Sequence, residues 1–179
     1  IDFGAGLKSL TGAGQITVNS GPLTIGNSNA SSTFDGVISG PGAVIKAGTG
    51  LLTLTGISTH TGTTTVNGGR LNLASGSRLT SNLVTVANGG TLGGSGTLTG
   101  GLTINNGGHL ALASGNKLTT GSLTLSSGSI VDIALGTPTV ATPMASVNGN
   151  LAINASPTFN FTDAGDMDNG TYRLFNYTG

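Results

Sequence analysis

Apolar residues alternate with threonine, serine or asparagine over short runs through most of the chain. Clear examples are Leu51–Leu54, Leu83–Val86, Leu102–Ile104 and Leu123–Leu125. A period of two predicts strands that send one side of each run inward. Glycine-rich stretches separate the runs and predict tight turns. The hydrophobic pattern therefore predicts many short strands joined by corners.

A longer sequence repeat is superimposed on this alternation. A segment with an apolar residue, asparagine or a small polar residue, glycine and a second apolar run begins at Val18, Val66, Val86, Ile104, Leu125 and Val147. From Val66 onward, successive segments begin about 20 positions apart, a repeat length that is typical of a solenoid. The sequence predicts an all-β fold, a parallel β-helix in which residues 1–179 form one solenoid with about 18–25 residues per coil.

Two features of the corners leave alternatives open. Asparagine followed by glycine between strands is also a strong hairpin signal, but an antiparallel meander needs no such long repeat. Asparagines recur just after the leading apolar residue, at Asn19, Asn67, Asn88, Asn106 and Asn148. Their amides are expected either to stack in ladders along the solenoid or to form independent turns.

Two segments depart from the repeat. Residues 136–146 contain two prolines, which are disfavoured in a central strand, and are expected to leave the solenoid as a loop. Residues 154–179 hold five of the chain's seven aromatic residues. Stacked repeats need terminal units of a different kind, so these aromatic-rich terminal coils are expected to fill a wider last coil or shield an end.

Composition narrows the class of protein. The chain has 33 glycines, and only 7% of its residues are charged, which excludes an ordinary helical or α/β domain. Its formal net charge is zero, so nucleic acid is not an expected partner, whereas neutral surfaces with strand edges favour self-association. Cysteine is absent, which excludes disulfides and thiolate metal sites.

Few residues carry recognisable chemistry. His60 and His109 lack a carboxylate or serine at motif spacing, and both are expected to face solvent or pack in a corner. Asp163, Asp166 and Asp168 cluster and are candidates for a metal, but they miss the calcium-loop pattern and are better explained as an exposed turn. The sequence therefore predicts no catalytic residue and no cofactor.

One regularity concerns basic residues. The segment from Leu71 to Leu79 matches the later segment from Leu110 to Leu118. This match places Arg70 and His109 in one outward column, and Arg78 and Lys117 in another. The four residues are candidates for a binding surface toward acidic glycans, with a merely solvated face as the alternative.

Residues 34–73 carry a specific motif. It reads Phe-Asp-Gly-Val-Ile-Ser-Gly from Phe34, Leu-Leu-Thr-Leu-Thr-Gly from Leu51, and Thr-His-Thr-Gly-Thr-Thr-Thr-Val-Asn-Gly-Gly-Arg-Leu-Asn-Leu from Thr59. This text resembles the autotransporter-associated β-strand repeat, found in passenger domains of bacterial type V secretion proteins. That family usually carries tyrosine where this chain has His60. Gly170–Gly179 also resembles the closing portion of such passengers.

The resemblance implies a right-handed parallel β-helix from the C-terminal part of a longer passenger, displayed at or released from the surface of a Gram-negative bacterium. Membrane attachment is expected only through a C-terminal translocator outside this sequence. The implied role is a non-enzymatic stalk that supports folding during export and adhesion or autoaggregation, with a second copy, a host-surface glycan or a host protein as partner. The alternative is part of a β-helical carbohydrate-active enzyme whose cleft lies elsewhere.

Overall fold

The chain forms a parallel β-helix. A computed structural model describes residues 6–138, 141–165 and 167–179, and this described part contains strands and turns but no helix. Its strand pairs are parallel, and each strand is hydrogen-bonded to the equivalent strand of the next coil. The all-β, parallel solenoid predicted from the repeat is confirmed, and the antiparallel meander is excluded.

Three faces make up each coil, and they share a common strand order along the solenoid. The first face consists of β2 (Leu23–Ile25), β5 (Val44–Lys46), β8 (Thr64–Val66), β11 (Leu83–Val86), β14 (Gly101–Ile104), β17 (Ser122–Leu125) and β20 (Leu151–Ile153). The second face consists of β3 (Ser32–Phe34), β6 (Leu51–Leu54), β9 (Gly69–Leu73), β12 (Gly90–Gly94), β15 (His109–Ala113), β18 (Ile130–Leu135) and β21 (Thr158–Asp163).

The third face is built from shorter strands. It consists of β7 (Ile57–Ser58), β10 (Arg78–Leu79), β13 (Thr97–Leu98), β16 (Leu118–Thr120), β19 (Ala145–Val147) and β22 (Phe175–Tyr177). Near the start of the chain, β1 (Gln15–Thr17) pairs with β4 (Val37–Ser39) as a separate sheet of two strands.

The core runs along the axis as columns of inward-facing apolar side chains. One column of the second face contains Leu52, Leu71, Leu92, Leu110 and Val131, each no more than 2% exposed. Burying each side chain of this size contributes about 1.5 to 3 kcal/mol relative to leaving it in water. Because a single coil cannot cover its own inner face, this contribution depends on stacking, which ties each coil to its neighbours.

The first and last members of the sequence repeat are out of phase with the others. Leu125 pairs with Ile153, while Val147 lies on the third face, so this coil step is longer than the sequence repeat predicts. Val18 likewise precedes the first-face strand that begins at Leu23. The same Asn-Gly type of corner occurs at two different bends of the coil. The sequence pattern therefore matched Val18 and Val147 to residues that lie on a different face.

The longer last step arises between β18 and β19. Nine residues, 136–144, separate these strands, whereas only four separate β15 from β16. The predicted loop boundary at residue 146 is wrong, because β19 already begins at Ala145 and pairs with β16. Thr139 and Val140, within the predicted loop, lie outside the described residues.

The corner asparagines do not stack through their amides. All five are exposed, and within the described residues no side-chain hydrogen bond joins one of them to the next. Backbone groups form the ladder instead, because Gly89 donates to the carbonyl of Gly107 and Gly107 donates to that of Gly128, both at 2.9 Å. Gly107 has φ of 69°, and an added Cβ would collide with the side chain of Asn88. Independent turns are therefore the correct alternative.

The aromatic residues near the end continue the inward columns. Phe159 and Phe161 follow Val131 and Ile133 in register, and Tyr177 follows Val147. Phe161 is nevertheless 57% exposed and Tyr177 is 58% exposed. Phe159, Tyr172 and Phe175, by contrast, are partly buried against the core.

Candidate functional site

The outward side of the second face brings one predicted pair of residues together. Arg70, Thr91 and His109 occupy consecutive positions of a single column, so the predicted column of Arg70 and His109 is confirmed. The other predicted column is wrong. Arg78 is followed by Thr97 and Thr119, and Lys117 lies two residues before that column, outside β16. The cause is a corner longer by two residues, which the repeated sequence Leu-Ala-Ser-Gly conceals.

A shallow groove of about 250 Å³ crosses the second face beside Arg70. Polar side chains border it, and alanines with stretches of backbone form its floor. Its lining residues are Arg70, Asn72, Gly94, Ala111, Leu112, Ala113, Asn116, Asp132, Ala134 and Thr162. The groove exists because Asn72 is followed in its outward column by Gly93 and Ala111, which carry almost no side chain. We call this feature the second-face groove.

Arg70 forms one end of the second-face groove. A Cβ added at Gly93 would lie 2.5 Å from a terminal nitrogen of Arg70, so the guanidinium lies across the bare backbone of the next coil. Among the described residues no acceptor takes a hydrogen bond from this side chain, and no carboxylate pairs with it. Arg70 therefore presents an uncommitted, fork-shaped set of donors to the groove.

Asp132 forms the other end. One carboxylate oxygen lies 2.6 Å from Nδ1 of His109, and the other accepts a hydrogen bond of 2.8 Å from the side-chain amide of Asn160. These three residues come from consecutive coils, on β15, β18 and β21. The contacts fix the orientation of the carboxylate, whose remaining lone pairs can accept hydrogen bonds from a ligand.

The sequence pattern missed Asp132 as a partner of His109. The two residues lie on neighbouring strands, and their side chains meet diagonally, since Ile130 rather than Asp132 is the register partner of His109. Aligning the repeat from Ile104 with the repeat from Leu125 was the available signal, because it places Asp132 on the same outward side as His109. The expectation that His109 lacks a carboxylate partner is therefore corrected by the structure.

His60 does not face solvent as one alternative expected, because it is fully buried inside the coil. Its Nε2 lies 2.8 Å from the hydroxyl of Thr64, and its Nδ1 has no partner among the described residues. Burial lowers the pKa of His60 from 6.5 to about 4, since desolvation disfavours the charged imidazolium. The side chain is therefore neutral at physiological pH and has a packing role.

Lys46 is a second polar residue of the interior, in the inward column that otherwise holds Ile25, Val66 and Val86. Its ammonium donates hydrogen bonds to the carbonyls of Ala47 at 2.7 Å, Gly48 at 3.1 Å and Gly68 at 3.2 Å. Burial lowers the pKa of Lys46. The three acceptors belong to corners, so the lysine closes the ends of two adjacent first-face strands.

The remaining acidic candidates do not form a site in the described residues. Asp163 accepts a hydrogen bond of 2.8 Å from the amide of Gly165, as in an exposed turn. Asp166 lies outside the described residues, and Asp168 is exposed. Within the described ranges no group of three His, Cys, Asp or Glu side chains could hold a metal ion. No helix in these ranges is long and apolar enough to cross a membrane.

Comparisons with known proteins agree with the resemblance carried by residues 34–73. Residues 44–73 match the passenger-associated-transport-repeat family. The chain is also 36% identical over 178 residues to the adhesin BmaC autotransporter of Brucella suis biovar 1 (strain 1330), an alignment that covers 93% of this chain and 5% of that relative. No solved structure matches the chain significantly. The predicted resemblance to an adhesin-like autotransporter passenger is thus confirmed.

Proposed function

We propose that the chain is a non-enzymatic stalk segment of a surface-displayed or secreted autotransporter passenger, because it carries a passenger-associated transport repeat and is similar to a small part of an autotransporter adhesin. Its role is to hold a long shape by stacking and to support folding outside the cell during export. Attachment to the outer membrane comes from a translocator elsewhere in the full protein.

The continuous stack of parallel coils is the observation that supports this role. In the described part of the chain, seven strands of the first face and seven of the second face are joined edge to edge. Each completed coil offers a full row of backbone donors and acceptors to the next one, so a folded coil is a template for its neighbour. A chain that folds coil by coil outside the membrane resists sliding back through the membrane, because a folded coil is wider than the extended chain that crossed the membrane.

We also propose that the first face lets two copies of the chain associate. Its outward side carries Thr65, Thr85, Thr103 and Thr124 in one continuous column. Among the described strands of this face the only charged residue is Lys46, which points inward. An uncharged surface of regularly spaced hydroxyls lets two copies approach without repulsion and exchange hydrogen bonds. The partner on this face is a second copy of the chain.

A non-enzymatic role is favoured by the naming of the relative as an adhesin. A carbohydrate-active enzyme is the competing hypothesis, with its cleft outside this segment. Turnover of a polysaccharide by the chain itself would overturn the stalk proposal.

The stalk proposal is tested by deleting one coil in the full-length autotransporter. Removing residues 66–85 takes out one complete step of the first face, from Val66 to the residue before Val86, and lets the flanking strands pair. A matched substitution of outward threonines on the same coil serves as the control. The deletion is expected to lower surface display and protease resistance only modestly, whereas removing residues 44–135 abolishes both. Unchanged export and resistance after the larger deletion would refute the proposal.

A further inference from the structure

We propose that the second-face groove binds the carboxylate-bearing ring of an acidic sugar, with Arg70 holding the carboxylate and Asp132 holding ring hydroxyls. This inference goes beyond the proposed stalk role, because it adds a ligand-binding site to the outer surface of the stalk. It assigns a ligand class to a groove that neither the family match nor the relative describes.

The charge distribution in the groove specifies the ligand. Arg70 is an exposed guanidinium without a partner in the described structure, and a guanidinium binds a carboxylate through two parallel hydrogen bonds. At the opposite end Asp132 is an oriented acceptor that needs donors, and sugar hydroxyls supply them. A ligand must therefore carry a negative group at one end and hydroxyl donors at the other, as a uronic acid does.

The spacing between the two ends fits one ring. Coils lie about 4.8 Å apart, so the backbone of Asp132, three coils beyond Arg70, is about 14 Å away along the solenoid axis, and it also lies two residues farther along its strand. The guanidinium spans the first of these coils, because it covers Gly93. The carboxylate of Asp132 reaches back to His109 across the last of them. Ala111 lies in the remaining gap, which is comparable in width to a single pyranose.

The floor of the groove favours a sugar over an acidic peptide. Ala111, Ala113 and Ala134 present methyl groups that can contact the apolar side of a ring. The backbone beneath them is already paired between β12, β15 and β18, so these strands offer no free edge to a peptide. The amides of Asn72 and Asn116 stand beside the floor and can donate to or accept from further hydroxyls.

Two of the basic residues predicted as a binding surface do not belong to this site. Arg78 and Lys117 lie on or next to the third face and are not among the residues that line the groove. His109 is engaged with Asp132 and acts by positioning that carboxylate. Arg70 is therefore the residue that gives the groove its preference for an anion.

The test is a titration of the isotope-labelled chain with the methyl glycoside of glucuronic acid, which keeps a free carboxylate. The NMR signals of the alanine methyl groups report the binding. Methyl glucoside and the neutral amide of glucuronic acid are the matched ligands, and a short glutamate peptide tests the other class of anion. The glucuronate is expected to shift the signals of Ala111, Ala113 and Ala134 with a dissociation constant on the order of millimolar, as a shallow site allows. The neutral sugars are expected to bind about tenfold more weakly.

Variants locate the binding to this groove. Arg70→Gln is expected to weaken glucuronate binding about tenfold and to remove its sensitivity to salt, whereas Arg78→Gln leaves both unchanged. Ala111→Leu fills the gap from the solvent side and is expected to abolish binding without lowering the melting temperature. Gly93→Ala is expected to weaken binding, because the added methyl group displaces the guanidinium.

Several results would overturn the inference. They are absence of shifts up to tens of millimolar glucuronate, equal affinity for the neutral amide, tighter binding of the glutamate peptide, or equal effects of Arg70→Gln and Arg78→Gln. Failure here is distinct from failure of the stalk proposal. Arg70→Gln leaves every coil in place, so export and protease resistance report on the stalk while sugar titration reports on the groove.

Discussion

The interior of the coils between Lys46 and Ser81 differs from the interior of the coils that follow. Among the described residues, six of the eight buried polar or charged side chains lie in the earlier coils, namely Lys46, Ser58, His60, Thr64, Ser77 and Ser81. The later coils place Val84, Val86, Leu92, Leu102 and Ile104 inside, each no more than 1% exposed. Both interiors belong to the same columns, so position in the repeat alone does not decide polarity.

The difference lies in the corners. Beside Ile104 the turn is closed by its own backbone, because the amide of Gly108 donates to the carbonyl of Asn105 at 2.9 Å. At the earlier corner the carbonyls of Ala47, Gly48 and Gly68 take hydrogen bonds from the Lys46 ammonium instead. The single hydroxyl donor of Ser81 lies 2.7 Å from the carbonyl of Gly62 and 3.1 Å from that of Leu83. Lys46 and Ser81 are accepted in the interior because they supply donors to corner carbonyls.

The largest effect is expected when a lysine is introduced into the apolar interior of the later coils. Ile104→Lys places an ammonium in the same inward column two coils after Val66, where the neighbouring turn is already closed. We expect a loss of about 4 kcal/mol or more in the free energy of unfolding, because the charge finds no acceptors. Denaturant unfolding measures it. Thr103→Lys, outward on the same strand, is the control and should change the free energy by less than about 0.5 kcal/mol.

Lowering the pH should destabilise the folded chain through the buried His60. The unfolded chain takes up a proton near the ordinary pKa of 6.5, whereas the pKa of the buried imidazole is about 4. Between these values the unfolded state binds more protons, so stability falls as the pH falls from about 6.5 to about 4, by roughly 3 kcal/mol.

Comparison with a variant isolates this contribution. His60→Leu replaces the imidazole with an apolar side chain of similar size that does not titrate. The free energy of unfolding of this variant should depend less steeply on pH over the same range. Urea denaturation at several pH values provides the curves. Parallel curves for the two proteins would show that His60 does not titrate differently on folding.

A third prediction removes the lysine from its own corner. Lys46→Met keeps the length and volume of the side chain but leaves the carbonyls of Ala47, Gly48 and Gly68 without their donor. We expect a loss of about 2 kcal/mol in unfolding free energy, since unpaired buried carbonyls cost more than the apolar replacement gains. Ile45→Met, outward on β5, is the matched control. A variant more stable than the parent would mean that burying the ammonium costs more than its three hydrogen bonds return.

The contrast between interiors shows what sequence could and could not predict. Alternation and the step of about 20 residues predicted the stacked coils, because a period of two and a solenoid repeat are set by strand geometry and stacking. Lys46 gave no such signal, since a lysine after Val44 and Ile45 is as compatible with an outward corner as with an inward one. Whether it turns inward depends on unpaired carbonyls a coil away.

The second-face groove was predictable only in part. The match of two segments placed Arg70 and His109 in one column correctly, because the corners between them preserve the register. It misplaced Lys117, because two extra residues before Thr119 shift the third face without changing the motif. The contact between His109 and Asp132 depends on side chains meeting across neighbouring coils, which a linear motif search does not test.

The smallest expected effect comes from β21, where most side chains of the second face are exposed. Ile133 and Phe161 are register partners, yet Ile133 is fully buried while Phe161 is 57% exposed. Ile133→Ser should lower the free energy of unfolding by about 3 kcal/mol, since it leaves a cavity beside a buried hydroxyl. Phe161→Ser should cost less than about 1 kcal/mol, because its outer side already contacts water. Equal losses in thermal or urea unfolding would mean that Phe161 is covered in solution as completely as Ile133, and the contrast between these two positions would be wrong.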